Sequence, residues 1–131
     1  MQSNLPLVSI IVLNYNGKQH LKTCLESLLE TNYPNFEIIL VDNGSSDGSV
    51  EFVAENYPKV KIVKLKRNIY TVGSYMAGVM VAKGKHVAIL KVYIQLSSFM
   101  RITRALSEVH RGSKTAVWKW ARKLRETYKR G

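Results

Sequence analysis

Between Val41 and Ser49 the chain reads Val-Asp-Asn-Gly-Ser-Ser-Asp-Gly-Ser. It is the stretch whose residue types are best suited to chemistry. A carboxylate at Asp42 or Asp47 can accept a hydrogen bond from a base N–H. Gly44 and Gly48 let backbone amides come close to a ligand, and the N-terminus of a following helix favours anions. The same residues also suit a purely structural task, in which Asp42 and Asp47 close side-chain turns and cap the next helix. A second polar loop, Asn14-Tyr15-Asn16-Gly17-Lys18, follows an apolar run near the N-terminus. The single cysteine, Cys24, excludes an internal disulfide and a cysteine metal cluster. It falls on an apolar helical face and reads as a small core residue.

The elements that must position these loops can be read from periodicity. Val8–Leu13 is a continuous β-branched and aliphatic run, as in a strand buried on both faces. Leu21, Cys24, Leu25, Leu28 and Leu29 recur at helical spacing, which predicts a helix over about Gln19–Thr31, broken by Tyr33-Pro34-Asn35. Phe36–Val41 is a second buried strand. A short helix over about Val50–Asn56 ends at Tyr57-Pro58, and Val60–Leu65 is a third strand. Thr71–Ala82 is a candidate helix, stopped by Lys83-Gly84-Lys85, and His86–Leu90 is a fourth strand. Alternating strands and helices imply a Rossmann-like α/β fold around a parallel sheet. The ligand of such a sheet sits beyond its C-terminal strand ends. Here those ends carry Asn14–Gly17, Asp42–Asp47, Arg67-Asn68 and Lys91–Tyr93.

The segments VSIIVLNYNG, LESLLETNYPNFEIILVDNGSSDGS, NYPKVKIVKLKRN and AKGKHVAIL, in that order, resemble the family 2 glycosyltransferases of GT-A fold. The resemblance runs from about Leu7 to Leu90 and is far more specific than any one motif. It implies that a nucleotide-diphosphate sugar binds across the strand-end loops. Within it Tyr15 matches the family's base-stacking position, and Asp42 the aspartate that hydrogen-bonds the base. Leu13 and Asn14 match positions lining the nucleotide, and Arg67 and Asn68 match the third-strand end near ribose and base.

The chain then departs from the pattern. After Asn68 the family has a glycine-rich stretch ending in asparagine, alanine and glycine. Here Tyr70, Thr71, Val72, Ser74, Tyr75 and Met76 replace most of it, and only Gly73, Ala77 and Gly78 fit. At the end of the fourth strand the family holds a divalent metal (manganese or magnesium) with an Asp-x-Asp-like motif. This chain has Lys91-Val92-Tyr93-Ile94, and lysine and tyrosine do not replace the oxygen ligands of a hard cation. Lys91 reads as a solvated strand-end lysine. The family's catalytic carboxylate has no counterpart in family context, since Glu108 and Glu126 are the only later acidic residues. The expectation is a truncated, catalytically impaired transferase half, with no catalytic or metal-binding residue assigned, that binds nucleotide at most; the alternatives are a non-functional gene fragment, a subunit that needs a partner chain to complete its site, or a nucleic-acid-binding module built on the basic C-terminal helices.

Charge divides the chain in the same way. Residues 1–55 hold two lysines and seven carboxylates, a net −5, whereas residues 56–131 hold 18 basic and two acidic residues, a net +16. No Asp or Glu occurs between Asn56 and Ser107. The expected division is a nucleotide-sugar-binding α/β half-domain over 1–95 and a basic helical tail over 96–131. In the tail Ile102, Ala105, Leu106 and Val109 fit one helix, and Val117, Trp120, Ala121 and Leu124 fit another after a turn at 110–113. The tail weakly resembles a transposase helix-turn-helix, which implies weak DNA binding. Packing on the sheet or on an anionic membrane is the competing reading. No apolar run reaches the ~18 residues a membrane span needs. The N-terminus lacks a basic n-region, so no signal peptide is read, and the expected location is the cytoplasm.

Overall fold

The computed structural model describes residues 5–31 and 33–92. Strands β1 (Val8–Asn14), β2 (Phe36–Asp42), β3 (Lys61–Lys64) and β4 (His86–Lys91) alternate with helices α1 (Lys18–Leu29), α2 (Ser49–Asn56) and α3 (Tyr70–Val81). The four strands form one sheet in the order β3-β2-β1-β4, with every pairing parallel. This is the Rossmann-like α/β architecture that the alternating periodicities predict.

The central strands are apolar on both sides because both faces are covered. In β1 all seven residues are buried. Val8, Ile10 and Val12 point into a core shared with Leu21, Cys24, Leu25 and Leu28 of α1 and Val53 of α2. Ile11 and Leu13 point the other way, into a smaller core with Ile39 and Val41 of β2 and Tyr75 and Ala77 of α3. Burial pushes the Cys24 thiol up to about 12, as suits a core residue.

Helix α3 reaches the sheet through Gly78. A Cβ there would meet Ile11 Cγ2 at 2.7 Å and Val41 Cγ2 at 2.9 Å, so the helix axis approaches as near as it does only without a side chain at this position.

The elements differ from the sequence reading mainly at their ends. β1 and β2 each run one residue further, because Asn14 and Asp42 are register partners. Asn14 is therefore a buried strand residue and not part of the polar loop. α1 stops at Leu29, short of Thr31. Tyr33 beyond it turns into the core, fully buried, and its hydroxyl donates to the Pro6 carbonyl. β3 keeps only Lys61–Lys64. It is an edge strand beside β2, and Val60 instead donates to the Tyr57 carbonyl in a turn.

The strand order creates a switch point. From β1 the chain steps outward to β2 and β3, then returns to the far side of β1 as β4. Right-handed crossovers place helices on one face for outward steps and on the other for the return. Accordingly α1 and α2 cover one face and α3 the other. The order reverses between β1 and β4, and in open α/β sheets ligands bind outside the C-terminal strand ends at such a point.

Candidate functional site

At that edge the loops after β1, β2 and β3 are tied together by side chains. Asn14 is fully buried. Its Nδ2 donates to Asp42 Oδ1 at 2.9 Å and to Ser45 Oγ at 3.3 Å, and its Oδ1 accepts from the Gly17 N–H at 3.2 Å. Asn16 takes a left-handed backbone with φ 49°, which asparagine tolerates better than most residues. In that conformation its N–H donates to Ser45 Oγ at 2.9 Å, and its Oδ1 accepts from the Ser46 N–H at 2.8 Å.

Asp42, also fully buried, accepts from Asn14 on Oδ1 and from the Ser45 N–H on Oδ2 at 2.9 Å. Its backbone carbonyl accepts from the Leu65 N–H at 2.9 Å. Each carboxylate oxygen keeps lone-pair capacity for one further donor. Asp47 serves the helices. Its Oδ2 accepts from the Lys18 N–H, the first residue of α1, at 2.9 Å. Its Oδ1 accepts from the Ser49 N–H, the first of α2, at 3.0 Å and from the Ser49 hydroxyl. Burial raises the Asp47 carboxyl, but the hydrogen bonds from Ser49 and Lys18 outweigh it and hold the group below the usual carboxylate range. One carboxylate thus serves two helix N-termini, which is the capping role open to it from sequence.

The third loop joins through Asn43. Its Nδ2 donates to Asn68 Oδ1 at 2.9 Å, and its Oδ1 accepts from the Ile69 N–H at 2.9 Å. Asn68 Oδ1 also accepts from the Tyr70 N–H at 2.9 Å. Gly44, at φ 81°, makes this closeness feasible, since a Cβ there would stand 2.8 Å from the Arg67 backbone.

The six residues singled out from sequence therefore fall along one edge. Leu13 and Asn14 end β1 as buried residues, Tyr15 follows at 43% exposure, and Asp42 ends β2. Arg67 and Asn68 stand exposed after β3, against Gly44. Sequence reasoning did not single out Asn16, Asn43 or Ser45, which join the loops to one another. The available signal was chemical: an asparagine in each strand-end loop can donate and accept at once.

β4 brings Lys91 to the same edge, in register with Leu13. A lysine there offers no oxygen to a divalent cation. Among the described residues no group of three or more His, Cys, Asp or Glu side chains could hold a metal ion. The residues at the end of β4 do not fit the family's cation.

A parallel sheet of this order, with its loops joined at the switch-point edge, is a Rossmann-like α/β domain of the doubly wound kind. The family model described as Glycosyl transferase family 2 matches residues 9–91, and the chain belongs to that family. It is 36% identical over 91 residues to the uncharacterized glycosyltransferase YibD of Escherichia coli (strain K12), covering 67% of this chain and 26% of YibD. Among solved structures, the Pyrobaculum calidifontis mannosyltransferase PcManGT, in complex with GDP-Man and Mn2+, is similar at TM-score 0.68 and 24% identity, covering 77% of this chain and 31% of PcManGT. S. aureus TarS 1-349 in complex with UDP is similar at TM-score 0.63 and 24% identity, covering 79% of this chain and 32% of TarS 1-349. Both likenesses are of fold. The chain spans about a quarter of the length of YibD and about a third of these two solved chains.

Proposed function

We propose that this chain binds the nucleotide part of a nucleoside-diphosphate sugar at the C-terminal ends of β1, β2 and β3, and that it transfers no sugar by itself. The observation that carries the first half is the joining of three strand-end loops through Asn14, Asp42, Ser45 and Asn43, with Tyr15 and Arg67 left exposed beside them. Such an edge is cross-linked by side-chain hydrogen bonds and carries an exposed aromatic ring, which can stack, and an exposed guanidinium, which can pair with an anion. The nucleotides named for PcManGT and TarS support the same reading. Tyr15 stacks on the base. Asp42 accepts the base N–H on a lone pair that Asn14 and Ser45 leave unused. Leu13 and Asn14 form the floor, and Arg67 and Asn68 flank the ribose.

The second half rests on Lys91 at the end of β4 and on the lack of any carboxylate between Asn56 and Ser107. Calorimetry with UDP and GDP tests the binding site. Tyr15→Ala should weaken the better ligand about five-fold to a hundred-fold, since base–aromatic stacking is worth about 1–3 kcal/mol. Asp42→Asn, which keeps the side-chain volume, should weaken it as well. Affinities equal to wild type in both variants overturn the assignment.

A second reading concerns residues 96–131, which lie outside the described residues. The segment 93–131 holds ten basic and two acidic residues, a composition suited to duplex DNA. Gel shifts over a salt series test it, because displaced counterions make such binding fall steeply with salt. No shift at low salt removes it.

A further inference from the structure

Helix α3 contains no charged residue. Its inner side, with Ser74 and Gly78 buried, faces the sheet. Its outer side carries Val72 at 76% exposure, Met76 at 54% and Met80 at 82%. These positions are four residues apart and share one stripe. A helix apolar all round is normally covered on every side. Beside it the sheet is open too. Val87 and Ile89 of β4 pair in register with Ser9 and Ile11, so they lie on the α3 face, where each is about two-fifths exposed. α3 rests chiefly on β1 and β2, so the raised helix and the exposed β4 side chains beside it make an apolar step on this face of the sheet.

We propose that this step is a docking surface for the chain's own segment 93–131, seated through its apolar positions Val117, Trp120 and Leu124. Three observations select that occupant over others. The segment leaves directly from the end of β4, the strand that forms one wall of the step. Its 39 residues repeat apolar side chains at helical spacing while its basic residues occupy the intervening positions, so an apolar side can pack while the charges stay in water. Finally, a tethered segment meets the surface at millimolar effective concentration, which a free partner rarely matches. The proposal does not depend on nucleotide binding, because it rests on the exposed side chains of α3 and β4 and not on the strand-end loops.

Both tryptophans of the protein, Trp118 and Trp120, lie in this segment, so tryptophan emission, excited at the red edge where tyrosine does not absorb, reports on it alone. Docking gives blue-shifted emission that acrylamide quenches weakly. Met76→Lys combined with Met80→Lys alters exposed positions only. It should shift the emission to the red and raise quenching several-fold, while far-ultraviolet dichroism stays as in wild type. Leu124→Lys should reproduce the effect from the other side of the contact without touching α3. Wild-type emission equal to that of the urea-unfolded chain overturns the proposal, as does emission unchanged in both variants. A blue shift that grows with protein concentration assigns the step to a second copy and overturns it equally.

Discussion

Tyr70 opens α3 with φ 65°, a left-handed conformation that costs an L-residue about 1–2 kcal/mol. Its side chain is 84% exposed and gains little from packing. The family resemblance expects a glycine-rich stretch beginning here, and the backbone retains a shape that glycine suits. Tyr70→Gly should therefore raise the melting temperature, by the equivalent of about 0.5–1 kcal/mol after the extra entropy of an unfolded glycine is subtracted. A lowered melting temperature would show that the ring contributes more than the strain removes. Asp42 presents the opposite case. Removing its carboxylate takes from the Asn14 amide the shorter of its two acceptors and leaves the Ser45 N–H without one, at about 1–3 kcal/mol. Asp42→Ala should thus lower stability as well as nucleotide affinity, and a urea titration separates the two effects.

At the scale of elements, one carboxylate ties the far end of the sheet. Glu37 of β2 accepts from Ser9 Oγ of β1 at 2.6 Å, from Lys61 Nζ of β3 at 2.7 Å and from the Lys83 N–H before β4 at 2.8 Å. Burial pushes its carboxyl up, but the Lys61, Ser9 and Lys83 hydrogen bonds outweigh burial and lower it from 4.5 to about 2. A carboxyl held lower in the folded state than in the unfolded one stabilises fully above the unfolded value, and that contribution disappears as pH falls through the folded value. Stability should therefore decline between pH 4.5 and about 2, and Glu37→Gln should flatten that part of the curve in denaturant titrations. The contact of α3 with the sheet gives a second test. Gly78→Ala sets a methyl against Ile11 and Val41, and overpacking of this kind costs about 1–3 kcal/mol. A melting temperature equal to wild type would mean that α3 can lift from the sheet at no cost.

For the molecule as a whole, the decisive comparison is between the edge that is built and the chemistry it lacks. The loops after β1, β2 and β3 are joined, whereas β4 ends in Lys91. UDP or GDP affinity should accordingly be unchanged by manganese or by a chelator in calorimetry. Incubation with UDP- or GDP-sugars should give no transfer product. A product peak that disappears with chelator would show that a metal site is assembled from residues other than those at the end of β4. No helix among the described residues is long and apolar enough to cross a membrane. The division at residue 95 and the readings of the tail fall on residues outside the described ones, and the fluorescence and gel-shift tests above address them.

What the sequence determined by itself is local or repetitive. A short, β-branched run apolar on both faces, such as Val8–Leu13, suits an interior strand, and Leu21, Cys24, Leu25 and Leu28 share one side on a helix. Periodicity therefore sufficed for the order of elements, and the spacing of several motifs for the family. It did not contain the strand order β3-β2-β1-β4, which follows from the handedness of crossovers and from which apolar faces meet. Nor did it show that Asn14 belongs to the core, that Asp47 serves two helices, or that Asn43 reaches Asn68 across 25 positions. Those are pairings between residues far apart in the chain. A hydrogen bond depends on position and direction within a few tenths of an ångström, and only the packed sheet brings the partners that close.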